Sequence, residues 1–207
     1  MERWVLLRKG ADFEAIGKKY QISPRLACLI RNRDVIGEEA IERYLNGTIS
    51  DLYDGMLMKD ADKAIDILKE KIAEEKKIRV IGDYDIDGVN ATYILLEGLE
   101  RLGAYVDSDI PDRIGDGYGL NRHLIDRAYD AGIDTIITCD NGIAAANEIA
   151  YGKELGMTII VTDHHEIPFD EIDGEKIYRL PPADAVIDPK QKDCVYPFKG
   201  LCGAAVG

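Results

Sequence analysis

The period of the apolar positions changes at Ile78, and that change divides the chain. Before it, Ala61, Ala64, Ile65, Leu68 and Ile72 recur at the spacing of a helix with one buried face. After it, short β-branched runs take over. Ile78–Ile81 ends at Gly82, and Tyr105–Ile110, Thr135–Thr138, Thr158–Val161 and Ala185–Ile187 read as further strands. Helices are predicted between them: Val89–Leu102 closed by Gly103, a segment from an Asn121 cap to Ala131 stopped at Gly132, and Ile143–Leu155 followed by Gly156. Strands alternating with helices in this way predict an α/β fold, a mostly parallel sheet flanked by helices on both faces. Residues 1–58 have a different texture, with short helices opening at Ser23-Pro24 and running over Gly37–Leu45 to a stop near Asn46-Gly47. The expected organisation is a small helical region over 1–58 and an α/β domain over 59–207. Glu166–Asp184, rich in Pro, Asp and Glu, reads as a long loop.

Composition narrows the class without naming it. With 46% hydrophobic and 31% charged residues the chain suits an ordinary globular protein. No apolar run approaches the roughly 20 residues of a membrane helix, and Met1–Arg8 is too short and charged for a signal peptide, so a cytoplasmic setting without a membrane is expected. Cys28, Cys139, Cys194 and Cys202 lack the tight spacings of a zinc site and read as free thiols. The net charge of −13 argues against a broad basic surface on a phosphate backbone, but it suits carboxylates that gather divalent cations.

The candidate chemistry sits immediately after the strands. Asp83-Tyr84-Asp85-Ile86-Asp87-Gly88 comes after the first, Asp140-Asn141-Gly142 after the third, and Asp163-His164-His165-Glu166 after the fourth. In an open parallel sheet the carboxyl ends of the strands meet at one crevice, so these acidic segments should converge there. Carboxylates so gathered repel one another unless cations neutralise them. Carboxylates and imidazoles without thiolate suit Mn²⁺ or Mg²⁺, and several around one crevice suit a two-metal site. Taken singly, Asp87 or Asp140 would read as a helix cap. The DxDxD run alone could be a calcium loop, but EF-hand spacing and its distal Glu are missing.

Asp163-His164-His165 resembles the signature of the DHH phosphoesterases, and Asp83–Gly88 their first motif. Ile110–Asn121, Thr138–Ile143 and the tail Tyr196–Gly203 are similar to further motifs of the branch that degrades single-stranded DNA. The resemblance implies a metal-dependent 5′-to-3′ exonuclease on single-stranded DNA that uses Mn²⁺ or Mg²⁺, active in DNA repair and recombination, with other repair proteins as further partners. By the same resemblance Asp85 and Asp83 would hold one metal, Asp87 and His164 the second, and Asp140 would bridge them. His165 would face the scissile phosphate and Arg113 would contact a phosphate through its guanidinium fork. The family commonly has a histidine where Ile81 stands, and places a further metal-binding aspartate and a second domain beyond the position of Gly207. Residues 1–207 alone are therefore expected to cleave weakly or not at all. Two other readings remain open: a phosphodiesterase for short oligonucleotides or cyclic dinucleotides, and a catalytically silent replication or repair factor.

Overall fold

The computed structural model describes residues 4–5, 9–112, 115, 117 and 119–207. The chain forms two compact units, Met1–Tyr53 and Asp54–Gly207. The first contains helices α1 (Phe13–Tyr20), α2 (Pro24–Asn32) and α3 (Glu38–Asn46). Helix α2 starts as its sequence predicts: Ser23 Oγ accepts the Leu26 N–H at 3.2 Å and Pro24 fills the first helical position, where no N–H is missed. Among its described residues, Ala27, Ile30 and Ile41 are the buried apolar ones.

The second unit runs α4 (Ala61–Ala73), β1 (Lys77–Ile81), α5 (Ile86–Arg101), β2 (Tyr105–Asp109), α6 (Arg122–Asp130), β3 (Thr135–Cys139), α7 (Ala146–Glu154), β4 (Thr158–Thr162), β5 (Phe169–Ile172), β6 (Glu175–Tyr178), β7 (Ala185–Ile187) and α8 (Gly203–Val206). Five strands form one sheet in the order β2-β1-β3-β4-β7, and every neighbouring pair is parallel. The period of two in the strands sends alternate side chains to opposite faces. In β3, Ile136 packs with Leu124, Ile125 and Ala128 of α6 and Ile149 of α7, whereas Ile137 packs with Ala64 of α4 and Ala91 and Leu99 of α5. The predicted α/β architecture, with helices on both faces, is thus observed. Among the described residues no helix is long and apolar enough to cross a membrane.

Two helix starts and one expected loop differ from the sequence reading by more than a residue. Helix α5 begins at Ile86 rather than Val89, because Asp85 Oδ1 accepts the N–H groups of Asp87 (2.8 Å) and Gly88 (3.0 Å) and caps it earlier. Helix α7 begins at Ala146 rather than Ile143, since Gly142 has a φ of +109° and Ala145 lies outside helical geometry. The largest correction concerns the expected loop over Glu166–Asp184, which contains an antiparallel hairpin, β5 paired with β6. Its turn is Asp173-Gly174, with φ of +54° and +81°. Two successive left-handed residues match the right-handed twist of a two-residue hairpin, and Asp-Gly is the sequence that accepts them. The signal was present in the sequence, between two runs too short and too charged to stand out as strands.

Candidate metal centre

Strand order reverses at β1, which has β2 on one side and β3 on the other. A crevice opens beyond the carboxyl ends of strands at such a reversal. The loop after β1 brings Asp83 and Asp85 to it, the loop after β3 brings Asp140, and the loop after β4 brings His164 and His165. Two overlapping clusters result, Asp83 with Asp85 and Asp140, and Asp140 with His164 and His165. Within each, the ligand atoms lie within 4.8 Å of one another. Asp140 belongs to both.

Each of these side chains is held by local structure. Asp85 uses Oδ1 to cap α5. Asp140 is buried with φ of +59°, a left-handed conformation that Asp tolerates better than most residues. Its N–H is fixed to the Thr162 carbonyl at 3.1 Å. The next residue, Asn141, donates through Nδ2 to the carbonyls of Ile81 (3.2 Å) and Cys139 (3.0 Å), and Thr138 Oγ1 donates to its carbonyl at 2.8 Å. Asp163 is fully buried and fully used. Oδ2 accepts the Ile143 N–H at 2.9 Å, while Oδ1 accepts the His164 N–H at 2.7 Å and lies 2.7 Å from His165 Nδ1. It ties the β3 and β4 loops together and orients the His165 ring, which lines an open cavity of about 350 Å³ with Gly119, Asn141 and Gly142. His164 Nε2 lies 2.9 Å from Asp140 Oδ1 and 3.6 Å from Asp87 Oδ2.

The electrostatics separate anchors from candidate ligands. Burial would raise the Asp163 carboxyl, but the His165 ring and the Ile143 N–H outweigh it and hold it below the usual value of 3.8. Asp140 goes the other way: burial, with Asp87 and Asp85 beside it, pushes it up to about 6 despite His164. Asp83 is raised as well, first by burial and then by Asp85, against an opposing Tyr84 N–H. Asp83 is fully buried, and neither of its oxygens has a hydrogen-bond partner of good geometry; the same holds for Asp140 Oδ1. Buried acceptors that lack donors are costly. Divalent cations would satisfy them, and the carboxylate and imidazole donor set suits Mn²⁺ or Mg²⁺. The residues present therefore fit the expected metals. Cys139 does not join them, since burial pushes its thiol up to about 12.

Asp83, Asp85, Asp140, His164 and His165 are thus brought together. Asp87 stands beside them against His164, and both its oxygens accept backbone N–H groups, Oδ2 from Gly203 and Oδ1 from Ala204, each at 2.7 Å. His165 falls in the second cluster, where the resemblance had placed Asp87. Arg113, the expected phosphate contact, lies outside the described residues. Sequence reasoning did not single out the anchoring role of Asp163, although it opens the signature motif. It also passed over Asp188, fully buried at the end of β7 and raised to about 6 by burial. No spacing in the sequence marks Asp188, because its position depends on β7 pairing with β4.

A parallel sheet with carboxylates and imidazoles converging at its strand reversal is an α/β domain with a candidate divalent-metal centre. Residues 77–207 match the DHH family, N-terminal domain, and the chain belongs to that family. It is similar to the single-stranded-DNA-specific exonuclease RecJ of Bacillus subtilis, 39% identical over 99% of this chain and 25% of the relative. RecJ of Escherichia coli is 32% identical over the whole of this chain and 34% of its own length. The chain therefore spans about a quarter to a third of these relatives. Among solved structures, exonuclease RecJ bound to manganese superimposes with a TM-score of 0.63 at 32% identity, over 75% of this chain and 37% of the other. RecJ of Thermus thermophilus with Mn²⁺ gives 0.61 at 27% identity, over 94% of this chain and 25% of the other.

Proposed function

We propose that the chain carries the catalytic DHH portion of a metal-dependent phosphodiesterase that removes nucleotides from the 5′ end of single-stranded DNA. One observation carries this reading: the Asp140 carboxylate is common to both ligand clusters, as a bridge between two cations requires. The similarity to RecJ, whose name states a single-stranded-DNA substrate, supports the choice of polymer. The cofactor in this reading is Mn²⁺ or Mg²⁺, which would supply positive charge to phosphodiester oxygens and lower the pKa of water.

The geometry suggests a role for each of this chain's own residues. Asp83, Asp85 and Asp140 would hold one cation. Asp140 and His164 would hold the other, with Asp87 as a further oxygen donor 3.6 Å from His164. Asp163 fixes His165 Nδ1 and so orients the ring, which would present its other edge to the phosphate or protonate the leaving oxygen. Arg113 is assigned a phosphate contact from its place in the sequence. Residues 59–207 form the phosphoesterase domain in this reading and 1–58 a separate helical region. Other DNA-repair proteins and a cytoplasmic setting, which four free cysteines suit, complete it.

Titration calorimetry with Mn²⁺ tests the centre. Wild type should bind, and Asp140→Ala should bind at least about 100-fold more weakly, a loss of about 2.8 kcal/mol. Equal binding would remove Asp140 from the site. Substrate choice is read separately, by comparing 5′-labelled single strands with duplex under Mn²⁺. Preference for duplex would sink the polymer assignment while leaving the metal centre intact.

A further inference from the structure

The tail motif Tyr196–Gly203 resembles the family, yet no step above uses it. Its last residue touches the centre directly. Gly203 opens α8, and its N–H together with that of Ala204 grips the two oxygens of Asp87, across 116 and 117 residues of sequence. The Cα of Gly203 also lies against Asp140. A Cβ there would fall 2.6 Å from both Cβ and Cγ of Asp140 and closer still to Oδ1. Asp140 cannot easily yield, because its N–H is bonded to Thr162 and the following Asn141 is tied to Ile81 and Cys139.

We propose that Gly203 is a positioning residue for the metal centre, holding Asp87 through its N–H while its bare Cα leaves Asp140 room between the two clusters. The inference rests on the metal reading above and deepens it. The requirement for glycine is one of space: the residue is helical, and nothing in its backbone conformation demands glycine. Groups that orient a ligand carboxylate by hydrogen bonds tune affinity about as strongly as some ligands do. The strap from Cys202 to Ala204 would thereby set the separation of Asp87 from Asp140.

The test is Mn²⁺ titration calorimetry on the full chain, with melting in metal-free buffer as a check of folding. Gly203→Ala should weaken binding by about tenfold or more. Gly98→Ala, an exposed glycine of α5 with open space around it, should bind as wild type does. If Gly203→Ala fails to fold, semisynthesis at Cys202 supplies a chain whose residue 203 is glycolic acid joined to Cys202 by an ester, which removes the Gly203 N–H donor to Asp87 and no side chain. A loss of about fivefold in that chain supports the proposal, and unchanged affinity overturns it. A folded Gly203→Ala that binds Mn²⁺ within about twofold of wild type also overturns it. Absence of binding by wild type is a different failure, since it removes the metal reading and this inference together.

Discussion

The two ends of β3 solve opposite problems with the same residue type. At its start, Asp134 sits 2.7 Å from Lys71 of α4 and 2.7 Å from the Thr135 hydroxyl. Burial would raise its carboxyl, but these partners hold it below 3.8. Just past the other end, Asp140 is buried in a left-handed conformation among other carboxylates and is pushed up to about 6. One strand thus joins a carboxylate that is satisfied within the protein to one that is not. The first stabilises the fold; the second is kept in place by Thr162 and Asn141 at a cost to it. Stability is commonly sacrificed in this way where a site must bind something from outside.

Three substitutions probe that difference. The largest effect is expected from the loop that holds Asp140. Gly142 has φ of +109°, and an added Cβ would lie 2.5 Å from Thr138 Oγ1. Gly142→Ala should therefore cost about 3 kcal/mol by urea denaturation. A cost below about 1 kcal/mol would show that the loop can relax and that the constraint on Asp140 is soft.

Asp140→Asn should act with the opposite sign. It removes a buried negative charge beside Asp85 and Asp87, and Asn accepts left-handed geometry readily. In metal-free buffer the variant should be about 1 kcal/mol more stable, a gain of a few degrees in Tm. A loss of stability would mean that Asp140 is satisfied in the fold after all, and the contrast with Asp134 would collapse.

The smallest effect belongs to the other end. Lys71→Met should cost about 0.5–1 kcal/mol at neutral pH, the range for a partly exposed pair, and leave Mn²⁺ affinity unchanged. Because the folded Asp134 pKa lies below its unfolded value, the pair contributes fully above about pH 4 and its contribution fades as pH falls through the folded value. The variant should therefore lose less stability on acidification than wild type does. Identical acid slopes would deny Asp134 its role as the paired end of the strand.

Much of the fold was legible because burial enforces period. The runs of Ile and Val in β1, β3, β4 and β7 could be strands only if both faces were covered, and Gly103, Gly132 and Gly156 closed the intervening helices. The hairpin escaped because β5 and β6 are exposed, so no core imposed alternation on Phe169–Ile172 or Glu175–Tyr178. Within the centre, Asp83, Asp85, Asp140, His164 and His165 could be nominated because each comes directly after a strand or opens the segment beyond one.

What the sequence determined by itself was therefore most of what is local in origin: the five strands of the main sheet, the helices between them, the Ser23 and Asn121 caps, and which acidic and imidazole residues end up beyond the sheet. Pairings among distant segments were decided only by the tertiary structure. It gave Asp163 to His165 and Ile143 as an anchor, buried Asp188 just past the end of β7, and set Gly203 against Asp140 while binding its N–H to Asp87. The physical reason is range. Caps and periodicity act over a few residues, whereas a contact across 116 positions exists only once the sheet has closed and packing leaves a single place for each group.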